Sequence, residues 1–338
     1  MVAEIGTEGK RPLLDWVLER NPQTPRTRAK QWIRAGRVSV RGMVLRRPHQ
    51  LLADPGEGLE LLGRQAAALE CGGGWQIHSR LALVHLDGSL AVVNKGAGLL
   101  SLPLARRELS ALSILADFLA GRLKAKEPAF GARTLPAAYR RLQPLPVHRL
   151  DQYTSGLMCM ALNGVARHAL IEQLQTRTMK RVYVAFVEGP PVASQGTWRH
   201  WLKLTDDELR QGVLPEAMGK NGVREAKEAI THYEVLEQYA LADGKSWVTK
   251  LRLRLETGRK HQIRVQAAHS GLPLIGDQWY NPRYDPRTKP PIDFPRQALH
   301  AETLTLEHPE QPGRRLSWTA ELPQDLKRLE ANLVAGRL

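Results

Sequence analysis

Apolar residues along the 338-residue chain recur at two spacings, and each marks a different kind of element. Leu14, Val17 and Leu18 follow the i, i+3, i+4 rhythm of a short amphipathic helix. A second helix is marked at both ends: Thr24 suits an N-cap, Pro25 the first helical position and Gly36 the C-terminal stop. Ala29 and Ile33 give it a packing face, with Trp32 close by. The stretch from Val38 to Val44 alternates like a strand broken by a turn. Further along, Leu90 to Val93 and Leu157 to Leu162 are short apolar runs, and Asn163 is placed to cap a helix carrying Leu170 and Leu174. Val182 to Val187 reads as a strand covered on both faces, whereas Leu251, Leu253 and Leu255 alternate with Arg252 and Arg254 and leave one face wet. Strands with only occasional helices predict an α+β fold built on a mixed, largely antiparallel sheet, preceded by a small α/β unit.

These patterns divide the chain into a unit over residues 1–70, a Gly-rich linker at 71–76, a main domain over 77–325 and a C-terminal tail over 326–338. The linker assignment rests on Cys71-Gly72-Gly73-Gly74. Asn281 to Pro295, rich in Pro, Arg and Asp, reads as a surface loop. No run approaches the roughly 18 apolar residues needed to span a bilayer, and Met1 to Lys10 is polar. The expected compartment is the cytoplasm, with no membrane partner and no obligate protein partner marked. Cys71 and Cys159 are too few and too unlike in context for a disulfide framework or a zinc site.

Charge changes the picture. Lys and Arg outnumber Asp and Glu by 49 to 34, a formal net charge of +15, and a polyanion is the partner such an excess favours. Arg26, Lys30 and Arg34 recur every four residues on the second helix, with Arg37 just beyond. Such a stripe is either a solvated face or a nucleic-acid contact. Two short helices, one cationic, followed by a small hairpin resemble the S4-type RNA-binding domain over roughly residues 11–62.

Chemistry concentrates in two stretches. His148-Arg149-Leu150-Asp151-Gln152-Tyr153-Thr154-Ser155-Gly156 puts a carboxylate just before an apolar strand, although a loop Asp taken alone can be a turn former or cap. Glu256 to Val265 gathers Arg259, Lys260, His261 and Arg264 after another strand. A third stretch, Gly271 to Asp277, mixes turn and apolar residues and reads as structural. Residue types and spacing alone give a basic surface with one candidate acid.

The stretch HRLDQYTSG resembles the motif around the catalytic aspartate of the RluA family of RNA pseudouridine synthases. VVNKGAGLLSLP (92–103), KRVYVAFVEG (180–189), TGRKHQIRV (257–265), GLPLIGDQWY (271–280) and ALHAETLTLEHP from residue 298 resemble further blocks of that family, in order. The resemblance implies that Asp151 is the catalytic aspartate, that Tyr183 packs on the target base and that Arg264 pairs with the aspartate. Arg149 would approach the everted nucleotide, and Ile263 would form apolar wall beside the base. With the stripe of Arg26, Lys30, Arg34 and Arg37, these are the candidate site residues. Gly96, Lys260 and Gln266 depart from the family's usual proline, threonine and histidine, which touches target choice more than chemistry. The implied reaction, isomerisation of uridine in ribosomal RNA or, second, transfer RNA, needs no cofactor and no metal. Two rivals stand beside it: a basic RNA-binding protein without catalysis, and a hydrolytic enzyme using His148 and His261 as acid and base.

Overall fold

The structure is a computed structural model that describes residues 10–34, 38–40, 43–45, 48–49, 51–61, 71–105, 108–123, 135, 137–205, 209–216, 218, 225–284 and 292–338. Near the N-terminus, β1 (Arg11–Pro12), α1 (Leu13–Arg20), α2 (Arg26–Arg34), β2 (Val38–Val40), β3 (Met43–Leu45), β4 (Leu51–Leu52) and β5 (Leu59–Leu61) form a small unit. Its strands pair as β1-β4 and as β3-β2-β5. The apolar faces read from the sequence meet in one core of Leu13, Leu14, Val17, Ala29, Ile33, Val38 and Leu59. Helix α2 starts slightly later than its caps predict, because the Pro25 carbonyl accepts from the amides of Arg28 and Ala29.

The remainder is organised by one twelve-stranded sheet. Its strands are β6 (Cys71–His78), β7 (Leu81–Leu86), β8 (Leu90–Lys95), β9 (Leu145–Pro146), β10 (Ser155–Ala161), β11 (Lys180–Glu188), β12 (Gln195–Leu204), β13 (Gln211–Leu214), β14 (Lys227–Ala240), β15 (Trp247–Leu255), β16 (Leu299–Glu307) and β17 (Arg315–Thr319). The order is β13-β12-β14-β15-β11-β16-β10-β8-β7-β6, with β17 beside β16 and β9 beside β10. Among the described strand pairs only β10 and β16 run parallel, through Ser155↔His300 and Gly156↔Ala301. The mixed, largely antiparallel α+β architecture is therefore the observed one.

Among the described residues, four helices, α3 (Ala111–Leu119), α4 (Gly164–Gln175), α5 (Gln262–His269) and α6 (Gln324–Val334), accompany this sheet. Asn163 caps α4 as expected, its side chain accepting from the Ala166 amide at 2.8 Å. Strand β11 is covered on both faces: Tyr183, Ala185 and Val187 join one core with residues of α3 and α5, while Val184 and Phe186 join another with residues of α6. Among the described residues, no helix is long and apolar enough to cross a membrane.

Three expectations need correction. Residues 71–76 are not a linker but part of β6, ordered by pairing Cys71 with Leu86 and Gly72 with His85 of β7. The tail expected at 326–338 is mostly α6, which buries Leu326, Leu329 and Leu333. The ends of the loop expected at 281–295 are not surface, since Tyr284, Ile292 and Phe294 pack into the same core as α6.

Candidate active site

Asp151 sits in the loop between β9 and β10, and that loop is fastened on each side of it. The Ser101 hydroxyl donates to the Leu150 carbonyl at 2.7 Å and accepts from the Leu150 amide at 3.0 Å. On the other side the Gln152 carbonyl accepts from the Gly98 amide at 2.9 Å and from Lys95 Nζ at 3.0 Å. Lys95 is fully buried and donates also to the carbonyls of Gly96 and Leu99. Burial pushes its ammonium down to about 7, against the pull of Asp151. Arg296 adds a third fastening, donating to the Tyr153 carbonyl at 3.1 Å while Asp325 of α6 holds its other nitrogens. Gly156 then lets the strand through: its φ is +117°, and a Cβ there would lie 2.2 Å from the Ala301 carbonyl oxygen.

Arg264 approaches from α5. Its Nε and Nη2 are taken by Asp277, at 2.7 and 2.8 Å, and Asp277 is completely buried. The remaining Nη1 points at Asp151 Oδ2, 3.4 Å away. Burial works against the guanidinium's charge, yet the hydrogen bonds and charge of Asp277, with Asp151 beyond, push Arg264 above its ordinary value. Asp277 also accepts from the amides of Trp279 and Tyr280, so the same carboxylate shapes the turn that follows. His261, whose backbone lies in the left-handed region at φ 54°, starts α5 with its Nε2 4.0 Å from Asp151 Oδ1. Its Nδ1 meets the Tyr280 hydroxyl at 3.0 Å, and burial brings the ring down to about 4.

Asp151, Arg264 and His261 line a cleft of about 660 Å³. Arg149, Asp151, Tyr183, Ile263 and Arg264 are all on its wall, as are His148 and His261. Arg149 is exposed; Tyr183 and Ile263 are buried. Burial pushes the Tyr183 hydroxyl up, opposed by Arg181 and reinforced by Asp151. The structure thus brings together all five main-domain candidates named from the sequence. Arg26 and Lys30 lie on α2, and Arg26 pairs with Asp15 at 3.3 Å, so the cationic stripe has an acid beside it. Arg34 ends that helix, and its side chain and Arg37 lie outside the described residues.

Sequence reasoning missed Asp277, read as part of a structural turn, and Lys95, Arg296 and Asp325. Asp277 and Lys95 had a signal, each standing in a block that resembles the family's, GLPLIGDQWY and VVNKGAGLLSLP; the Arg296–Asp325 pair had none, since only the fold brings the two together. Gln266, one of the departures, ties α5 to the sheet by bonding the Thr231 hydroxyl and the carbonyls of Trp198 and Ala229.

Residues 89–269 match the family model described as RNA pseudouridylate synthase. The ribosomal large subunit pseudouridine synthase D of Pseudomonas aeruginosa is 35% identical, the match covering 90% of this chain and 86% of that protein. An RNA pseudouridine synthase of Bacillus subtilis is 32% identical over 91% of this chain and 89% of its own length. Among solved structures, human RNA pseudouridylate synthase domain containing 4 superposes with a TM-score of 0.54 at 22% identity, covering 75% of this chain and 92% of that one.

Proposed function

The chain belongs to the RNA pseudouridylate synthase family, in its RluA branch, and from that premise we propose that it isomerises uridine in ribosomal RNA in the cleft around Asp151. The ribosomal target is supported by relatives that carry that target in their names; transfer RNA is second. The observation that carries the site is the Asp151–Arg264 contact at 3.4 Å on a cleft wall shared with Tyr183.

The reaction breaks the N1–C1′ bond, turns the uracil and joins C5 to C1′; N1 gains a proton and C5 loses one, so nothing else enters the balance. A paired or stacked uridine hides these atoms and must be everted at a cost of a few kcal/mol. In this reading Tyr183 stacks on the base, Ile263 excludes water beside it and Arg149 follows the nucleotide. Asp151 acts as nucleophile or as the base that removes a sugar proton. The family resemblance implies the second route, with a glycal intermediate. Arg26 and Lys30, with Arg34 and Arg37, give the N-terminal unit an S4-like role in gripping RNA, and the cytoplasm is the compartment where such a substrate is met.

The hydrolytic rival has little support, because burial holds His148 at about 3 and His261 at about 4. Both rings are neutral near pH 7, and neither brings an imidazolium acid. Asp151→Asn is expected to bind substrate RNA and to slow tritium release from 5-³H-uridine RNA by at least ~100-fold, the floor for losing a general base. Release near the wild-type rate would remove Asp151 from the chemistry. Mapping pseudouridine by carbodiimide-stalled reverse transcription, with and without the protein, identifies the target.

A further inference from the structure

Arg181 is a buried cation to which the chemistry above gives no task. It lies near the start of β11, two residues before Tyr183, and is 9% exposed. Its Nη2 donates to the Thr257 carbonyl at 3.2 Å, its Nε is enclosed without a partner, and it makes no ion pair among the described residues. Burying a charge without a counter-charge is costly, so such a group calls for an anion. Beside it stands a second idle donor. The Cys159 amide donates to His148 Nε2 at 3.1 Å, which leaves the ring proton on Nδ1. That Nδ1 is also enclosed and unpartnered. The two side chains are neighbours: the charge of Arg181, after burial, helps keep His148 neutral.

Both residues line the cleft that holds Asp151 and Tyr183. Gly258, on the same wall, makes room for the guanidinium, since a Cβ there would come 2.7 Å from Arg181 Nη1. Its backbone is not in the left-handed region, so the constraint is space alone. A charged fork with no counter-charge and only the Thr257 carbonyl as acceptor, next to a neutral N–H with none, complements an anion with several oxygens. A neutral uracil carbonyl would satisfy the imidazole and leave the guanidinium uncompensated.

We propose that Arg181 and His148 form a subsite for one backbone phosphate flanking the target uridine. This rests on the cleft being the uridine site. Phosphate contacts fix register without reading sequence, so the subsite sets which nucleotide faces Asp151.

The test uses the full-length Asp151→Asn protein, which is expected to bind without turnover, and RNAs carrying one charge-neutral methylphosphonate at each position around the target. One position is expected to weaken binding roughly tenfold or more, the worth of a charge-assisted hydrogen bond. Adding Arg181→Gln should abolish that penalty at that position alone, and lower the slope of log affinity against log salt by about one. Gly258→Ala keeps the charge but displaces the guanidinium, and should abolish the same penalty if Arg181→Gln fails to fold. Penalties that persist at every position in the folded variants overturn the subsite, as does the lack of any sensitive position. Pseudouridine formed by Asp151→Asn at near the wild-type rate would instead sink the reading of the cleft, whatever the phosphates do.

Discussion

Completely buried, Asp277 must meet a cation or burden the fold with a bare charge, and it meets Arg264 through two hydrogen bonds of 2.7 and 2.8 Å. Removing one member of such a pair costs about 3–5 kcal/mol, because the survivor stays buried. Asp277→Ala is therefore expected to lower urea stability by about that much. Tritium release should also fall even where the variant remains folded, since Arg264 loses the clamp that aims Nη1. A variant with unchanged stability would show that Arg264 finds other partners. Asp151, Tyr183 and Arg264 were legible because each stands inside a distinctive block of sequence. Asp277 stands in such a block too but drew no role, because Gly276-Asp277 after apolar residues is indistinguishable from an ordinary turn until Arg264 is placed beside it.

The strands were the easiest elements to read, since β11 and β15 display a two-sided and a one-sided apolar pattern over nine residues each. Glycines display no pattern, which is why Gly72 to Gly74 passed for a linker; Gly72 pairs with His85 of β7, a neighbour named by no local feature. Helix α5 was equally invisible: it is eight residues long and buries Gln262, Arg264 and Gln266 along with its apolar side chains, so no amphipathic stripe marks it. Helix α6 did carry a signal, the spacing of Leu326, Leu329 and Leu333. The close passage of β10 against β16 gives a test at this scale. Gly156→Ala would drive a Cβ into the Ala301 carbonyl and force an unfavourable φ. A loss beyond ~3 kcal/mol is expected, past the ordinary range for single substitutions. Denaturation midpoints check it, and wild-type stability would mean that the parallel pair can open without consequence.

Three enclosed imidazoles link the whole molecule to pH. Burial is the main cause in each case, bringing His148 to about 3 and His261 and His300 to about 4. Unfolded, the same rings titrate near 6.5. Between pH ~6.5 and ~4 the unfolded chain therefore takes up protons that the folded chain refuses, and stability falls as pH falls. Each ring contributes up to ~1.4 kcal/mol per pH unit across its window, a slope that is halved at pH ~6.5 and fades over about the next unit. Urea titrations at pH 7, 6 and 5 should show this decline, lessened in His300→Gln; a flat profile would place the rings in water.

The clamp on Arg264 has one more consequence. Most of the guanidinium's charge is compensated by Asp277, a completely buried acid off the cleft wall, and Asp151 adds the smaller share. In the reaction proposed above, Asp151 would accept a proton, or bond to carbon, without stranding a naked cation in the interior. With the tethering carboxylate separate from the one proposed to react, the second would change its state at each cycle while the first keeps the scaffold still.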